Sequence, residues 1–153
     1  NRESIWIEAG LSIGAMHMTD LLEWIVKERG KPKAIRTDNG PEFTSSVFTN
    51  WCHKHRIEIR YIQPGKPVQN AFIERFNRSY RTEVLDARIF NNLIEVREIT
   101  SDWMEHYNNN RPHESLGNLS PMQYLLKKEN SPDANPNTEF SPFQQILPTS
   151  TTE

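Results

Sequence analysis

The 153-residue chain has a single cysteine, Cys52, so no disulfide can form within it. A lone thiol is typical of a reducing compartment, and we expect a cytoplasmic location. Long apolar runs are absent as well, because no stretch approaches the roughly 18 consecutive apolar residues that a membrane span needs. These two absences exclude a disulfide-stapled secreted domain and an integral membrane protein.

A strong excess of either charge is also missing, since the formal net charge is −2. That total hides an asymmetry, because residues 129–153 contain four acidic residues and no lysine or arginine. Residues 1–128 therefore carry 18 basic and 16 acidic residues, a balance that permits nucleic-acid binding without indicating it. Residues 129–153 are also rich in Pro, Asn, Ser and Thr, which predicts a disordered tail.

Apolar residues along the rest of the chain predict alternating strands and helices. Strand patterns occur at residues 4–8, 33–37 and 57–61. Helical spacing covers residues 15–29, about 45–55, 68–86, 91–108 and 121–128. Two prolines within residues 63–67 predict a loop there. This succession predicts an α/β domain.

Two carboxylates occupy positions that suit a metal site. Asp38 follows the second predicted strand in an Asp-Asn-Gly turn, and Glu74, 35 residues further on, lies early in the helix predicted over 68–86. Oxygen ligands suit Mg²⁺, and two such ions can activate a nucleophilic oxygen and stabilise the leaving oxygen of a phosphodiester. An ordinary turn and a surface glutamate explain the same pattern, and spacing alone favours that simpler interpretation.

The helix predicted over 68–86 has two chemically different faces. At about 100° per residue, one face carries amides and cations around Glu74, and the other carries apolar side chains. The polar face comprises Asn70, Glu74, Asn77, Arg78 and Arg81, and the packing face comprises Phe72, Ile73, Phe76, Tyr80 and Val84.

Three sequence motifs are more specific than this spacing. Residues 36–43 (RTDNGPEF) resemble the second-aspartate motif of the integrase core shared by retroviral integrases and bacterial insertion-sequence transposases. Residues 63–77 (QPGKPVQNAFIERFN) resemble the loop and helix that carry the catalytic glutamate of that family. Residues 107–117 (YNNNRPHESLG) resemble the segment after the core in the insertion sequence three group. The resemblance covers residues 1–128 and identifies the chain as a member of this family.

The resemblance implies a ribonuclease-H-like integrase core, with a mixed sheet flanked by helices, over residues 1–90. Residues 91–128 would form a helical extension, followed by the tail at 129–153. The family uses an Asp-Asp-Glu site with Mg²⁺ or Mn²⁺ to cut DNA at transposon ends and join it to a target. By this resemblance Asp38 and Glu74 are the second and third metal ligands, and Glu42 is an exposed or hydrogen-bonding acid. Candidate DNA contacts are Lys66, Asn70, Arg75, Arg78, Arg81, Arg111 and His113, and His113 has helix capping as an alternative role.

One ligand of the family's site has no match in this sequence. The family's first aspartate lies on the first strand of the sheet, and the only aspartate before Asp38 is Asp20, in a predicted helix. We therefore expect a C-terminal fragment that lacks the first strands, is inactive by itself and belongs to a homo-oligomeric transposase. The alternative is a noncatalytic remnant of a decayed or split gene that binds only DNA or a full-length transposase.

Overall fold

The structure is a computed structural model that describes residues 1–63 and 71–130. Helices dominate these ranges, and two strands form a small sheet. In chain order the elements are α1 (Ala15–Arg29), β1 (Ala34–Thr37), α2 (Pro41–Thr44), α3 (Ser46–His55), β2 (Glu58–Tyr61), α4 (Ala71–Tyr80), a π-helical turn (Arg81–Leu85), α5 (Leu93–Asn110), a 3-10 turn (Glu114–Leu116) and α6 (Pro121–Glu129). No helix in the described ranges is long and apolar enough to cross a membrane.

Local sequence signals fix where these helices begin and end. The Ser45 hydroxyl accepts a hydrogen bond from the Phe48 N–H and so caps α3. Ser120 and Gln123 form a capping box at the start of α6. Gly30 ends α1 with a φ of 85°, a conformation that glycine adopts without the steric cost that other residues incur. The helices predicted over 15–29 and 121–128 are thus found within a residue of their predicted bounds.

The two strands lie parallel, with Ala34 opposite Glu58 and Thr37 opposite Tyr61. Helix α3 forms the connection between them, as parallel strands require a crossover. The carboxyl ends of both strands therefore meet at one edge of the sheet. There the Ile62 N–H donates to the Thr37 carbonyl over 2.9 Å, and the Asn39 side chain donates to the Ile62 carbonyl over 3.3 Å. Asp38, which follows β1, thus lies beside the residues that follow β2.

The first hydrophobic core joins α1 and α3 to the sheet. Met18, Leu22 and Ile25 project from one face of α1 toward Phe48 and Cys52 of α3. Burial raises the pKa of the Cys52 thiol to about 11. The cysteine therefore packs as a small apolar side chain and has almost no thiolate at neutral pH.

We predict that Cys52 of the native chain reacts with a thiol reagent such as DTNB at pH 8 at least about 100-fold more slowly than in urea. The expectation follows because only the exposed thiolate reacts, and an unperturbed thiol has a pKa of about 8.5. Absorbance of the released thiolate measures both rates. Equal rates in buffer and in urea would contradict the burial of Cys52 in the first core.

The second core joins α4, the π-helical turn and α5. Its buried members are Ile7, Phe76, Tyr80, Val84 and Tyr107. The Tyr80 hydroxyl lies 2.6 Å from the hydroxyl of Thr100, which itself donates to the Val96 carbonyl over 2.6 Å. Tyr80 is therefore the donor to Thr100, and this buried polar pair is satisfied within the core.

One predicted strand is not observed. Residues 4–8 form no ladder, and in the described ranges the sheet has two parallel strands, whereas the resemblance implies a mixed sheet. The Ser4 N–H donates to the Asn108 side chain over 2.8 Å, and the Ser4 carbonyl accepts from it over 2.7 Å. Arg97 of α5 also donates to the Ala9 carbonyl. Side chains of α5 thus form hydrogen bonds with backbone groups of residues 4–9.

Some expectations differ from the structure in detail, and others lie outside it. Phe72 was expected on the packing face of α4, but it is half exposed because Phe76 and Tyr80 already fill the contact with α5. The regular helix predicted to residue 86 changes to a π-helical turn after Tyr80. The predicted start of this helix at 68–70, most of the loop at 63–67 and the tail beyond residue 130 lie outside the described residues.

Candidate metal and nucleic-acid site

Asp38 lies in an exposed turn at the carboxyl end of β1. Its Oδ1 accepts a hydrogen bond from the Gly40 N–H over 2.9 Å, which fixes the carboxylate against its own turn. The other oxygen has no hydrogen bond within the described residues. Asp38 also has no ion pair there, so it keeps an oxygen available for a cation.

Gly40 lets two carboxylates converge on this turn. A Cβ on Gly40 would lie 2.7 Å from Oε1 of Glu42 and 3.0 Å from Oδ1 of Asp38. Any larger residue would therefore push both carboxylates outward. Glu42 lies in the first turn of α2, where a negative charge is favoured by the helix dipole. The turn thus presents Asp38 with a second acid beside it.

Glu74 projects into solvent from the first turns of α4. The opposite side of the helix is held by Phe76 and Tyr80, which are both buried against α5. Packing on that side fixes the rotation of the helix and keeps the Glu74 carboxylate exposed. No ion pair or hydrogen bond joins Glu74 to any residue that the structure describes.

The described acids do not by themselves complete a metal site. Within residues 1–63 and 71–130 no group of three or more His, Cys, Asp or Glu side chains is placed to hold a metal ion. Asp38 and Glu74 are therefore two carboxylates on separate elements, at the end of β1 and in α4. Asp20 lies exposed on α1 and is not their third partner in such a group.

The candidate DNA contacts fall into different environments. Arg75 and Arg78 are exposed on α4, and Arg81 lies 3.5 Å from Asp86. Lys66 and Asn70 lie outside the described residues. Arg78 therefore follows Glu74 by one turn of α4, as the helical spacing predicts.

Arg111 makes an intramolecular ion pair that the sequence did not reveal. Its Nη1 lies 2.8 Å from both carboxylate oxygens of Glu83, and its other terminal nitrogen donates to Ser79 over 3.4 Å. Glu83 also accepts from the Trp103 indole N–H over 2.8 Å. This side chain belongs to the π-helical turn, and such turns are frequent at functional sites. Glu83 therefore fixes the position of Arg111.

His113 is not the C-cap residue of α5, because that helix ends at Asn110 and Arg111 occupies the cap position. Instead its backbone N–H donates to the Leu119 carbonyl over 3.1 Å, and its ring lies edge-on to Tyr107 with centroids 5.2 Å apart. Burial lowers the pKa of His113, and the charges of Arg111 and Arg2 lower it further. The imidazole is therefore neutral at pH 7.

We predict that His113 makes the native chain less stable as the pH falls below about 6.5, the ordinary pKa of histidine. The folded chain holds this imidazole below its unfolded pKa, so the unfolded state binds more protons as the pH decreases. Its stabilising contribution is complete above that pKa and is lost as the pH falls through the lowered pKa of the folded chain. Urea midpoints at pH 7.5 and 5.5 should therefore differ less in His113→Gln than in the wild type. A His53→Gln control, altered at an exposed histidine, should keep the wild-type difference.

A groove that sequence patterns did not predict lies between α4 and the segment after α5. Its volume is about 630 Å³, and Arg2, Phe72, Arg75 and His113 are among the residues that line it. Arg2 was missed because residues far apart in sequence form this surface. The only sequence signal was the Arg-Pro-His motif, which forms one wall.

Comparisons with known proteins identify the family of the chain. Two models of the integrase core domain match the chain, one over residues 1–67 and the other over residues 55–121. A protein of insertion element IS476 from Xanthomonas euvesicatoria is 42% identical over 141 residues, which are 92% of this chain and 40% of that protein. A protein of insertion element IS407 from Burkholderia multivorans is 37% identical, over 87% of this chain and 48% of that protein. The chain thus spans less than half the length of these curated relatives.

Solved structures agree on the fold. A chain of the simian T-cell lymphotropic virus intasome, in complex with the PP2A regulatory subunit B56 gamma, aligns with a TM-score of 0.61 and 20% identity. The alignment covers 88% of this chain and 46% of that chain. The HTLV-2 integrase catalytic core, in complex with magnesium, aligns with a TM-score of 0.52 and 18% identity over 74% of this chain and 70% of its own. The fold is therefore that of a ribonuclease-H-like integrase core.

The chain belongs to the integrase core family and is related to proteins of bacterial insertion sequences. This assignment agrees with the resemblance seen in its three motifs. Membership of the insertion sequence three group remains a prediction.

Proposed function

We propose that the chain is part of a DNA transposase that cuts and joins phosphodiesters at transposon ends, with Asp38 and Glu74 as two of its metal ligands. The observation that supports this proposal is that the two carboxylates at the family's motif positions are exposed and unpaired within the described residues. Both are exposed, each is fixed by the element that carries it, and neither is neutralised by a cation within the described residues.

The donor set fits a hard divalent cation. Carboxylate oxygens are the ligands that Mg²⁺ and Mn²⁺ prefer, and Asp38 and Glu74 would hold such ions. A bound pair would supply Lewis-acid stabilisation of the attacking and leaving oxygens during displacement at phosphorus. Magnesium is present in the solved HTLV-2 integrase core, a protein with the same fold.

The residues of this chain have separate roles in the proposed reaction. The Gly40 N–H holds the Asp38 carboxylate in one orientation, so little reorganisation is needed when the carboxylate binds a cation. Arg75 and Arg78 contact DNA phosphates from α4 and Arg81 does so from the π-helical turn, with Lys66 and Asn70 contributing from the preceding segment. The partners are transposon-end DNA and target DNA, and the working transposase is a homo-oligomer in the bacterial cytoplasm.

The division of labour along the chain forms part of this proposal. Residues 1–90 supply the catalytic core, residues 91–128 extend it, and residues 129–153 form a tail. The second hydrophobic core supports close association of the first two parts, because it packs α4 directly on α5.

A second candidate function is DNA binding without catalysis. One observation favours it, since no group of three potential ligands is placed to hold a metal ion within the described residues. This chain would then bind DNA or a full-length transposase and cut nothing. The two candidates differ in whether a longer protein that contains this chain cuts and joins DNA.

A joining assay distinguishes them. The longer protein encoded by the complete reading frame is mixed with labelled duplex transposon ends and a target plasmid in Mg²⁺. Nicked ends and labelled joined plasmid are the expected products of the transposase. DNA binding with neither product in Mg²⁺ or Mn²⁺ would favour the noncatalytic candidate and contradict the proposal.

A further inference from the structure

The groove beside α4 faces away from the proposed metal site. Phe72, Arg75, Phe76 and Ser79 line it from α4, and these positions share one face at about 100° per residue. Glu74 and Arg78 project from another face of the same helix and do not line the groove. The helix therefore presents a second surface that the metal site does not use.

Three arginines and one acid, Glu114, line this groove, so its net charge is positive. Arg2 and Arg75 both line it, and within the described residues neither forms an ion pair with an acid. Arg111 is neutralised by Glu83, so Arg2 and Arg75 are the cations available to a ligand. Burial lowers the pKa of Arg2, Tyr107 partly opposes that shift, and repulsion from Arg75 adds a smaller lowering. An anion between the two guanidinium groups would relieve that repulsion.

An aromatic surface lies next to these charges. The Arg2 guanidinium lies 3.5 Å from the ring centroid of Phe72, while half of the Phe72 side chain remains exposed. Arg2 has a φ of 66°, a conformation that is uncommon outside glycine, so tertiary contacts hold it there. Cations beside an exposed ring are the usual elements of a surface for unpaired nucleotides.

We propose that this groove binds an unpaired nucleotide of a DNA strand, with its phosphate between Arg2 and Arg75 and its base against Phe72. The inference rests on the proposed function, because that function brings DNA to the chain. A volume of about 630 Å³ lies within the usual range of small-ligand sites and suits one or two nucleotides. Contact with an aromatic ring also requires a base that is not stacked within a helix.

Phosphate binding is tested with the 153-residue chain in EDTA, by fluorescence anisotropy of a labelled 12-nucleotide oligothymidine. Arg2→Gln and Arg75→Gln should each weaken binding about tenfold and reduce the salt-dependence slope by about 0.7. Arg88→Gln removes the same charge from an exposed site outside the groove and should bind as the wild type does. Circular dichroism checks that every variant is folded.

Base contact is tested separately with an abasic oligonucleotide of the same length. Phe72→Ala should weaken oligothymidine binding about tenfold, the effect expected for loss of one stacking contact. It should weaken binding of the abasic strand clearly less, because that strand has no base to lose and is affected only through the Phe72 contact that holds the Arg2 guanidinium. An equal loss for both strands would contradict base contact.

The outcomes also separate this inference from the proposed function. Wild-type affinity in both arginine variants would overturn the groove site, while DNA joining by the longer protein would still stand. Competition by poly-glutamate as effective as competition by unlabelled oligonucleotide would overturn the nucleotide assignment in favour of an acidic protein segment. Conversely, Asp38→Asn should abolish joining and leave oligothymidine binding in EDTA intact.

Discussion

Replacing Asp38 with Asn, or Glu74 with Gln, in the longer protein used for the joining assay is expected to reduce strand transfer at least about 100-fold. Each change keeps the size of the side chain and removes the charge that binds a divalent cation. Metal ions contribute several kcal/mol to such reactions, and 1.36 kcal/mol corresponds to a tenfold rate change. DNA affinity should be nearly unchanged, since both carboxylates oppose the phosphate charge. Joined product on a denaturing gel, beside a binding curve, measures the two effects.

Matched controls come from α5, where Asp102 and Glu105 are exposed. Asp102→Asn and Glu105→Gln make the same chemical changes and should retain wild-type joining. Glu42→Gln is the most informative comparison, because Glu42 lies beside Asp38 at the Gly40 turn. We expect it to retain most of the activity. Full strand transfer by the Asp38 or Glu74 variant would refute the site assignment.

Replacing Phe76 with Ala is expected to destabilise the chain by about 3–5 kcal/mol, the usual cost of removing a buried phenylalanine. Phe76 is only 3% exposed, and its ring makes edge contacts with Trp103 and Tyr107 at centroid distances of 5.5 and 5.0 Å. Domains are stable by about 5–15 kcal/mol, so this loss would remove a large fraction of the total. Urea unfolding followed by tryptophan fluorescence measures it.

Phe72 supplies the comparison, because it lies one helical turn earlier and is 50% exposed. Phe72→Ala should cost less than about 1 kcal/mol, since it removes mainly the contact with the Arg2 guanidinium. Similar losses in the two variants would contradict the packing of α4 on α5.

Helix positions were the most predictable part of this fold. The apolar spacing of Met18, Leu22 and Ile25 predicted both bounds of α1, and Gly30 marked its end. These signals act over a few residues, so the sequence contains them directly. The Asp38 turn was predictable for the same reason, because its hydrogen bond to Gly40 spans only two residues.

Long-range contacts were the less predictable part. Residues 4–8 have the alternation of a strand, yet the Asn108 side chain takes the hydrogen bonds of Ser4 from 104 positions away. The Glu83–Arg111 pair likewise joins two elements that no local pattern connects. Phe72 and Phe76 have similar chemistry, and only the docking of α5 determines which one is buried.

In the candidate site, too, local features were predictable and long-range contacts were not. The two acids were found through motifs and spacing, because the family's motifs are short segments that contain Asp38 and Glu74. The groove was not found, because Arg2 and His113 come together only when the N-terminal segment packs beside the end of α5.

Paramagnetic broadening by Mn²⁺ tests the central claim most directly. Substoichiometric Mn²⁺ is added to the ¹⁵N-labelled chain, and its amide signals are compared with those recorded in metal-free buffer. We predict selective loss of signals from Asp38 to Gly40 together with those around Glu74, and loss of the effect in Asp38→Asn. Broadening confined to other acids, such as those of α5, would contradict the assignment of Asp38 and Glu74 as metal ligands.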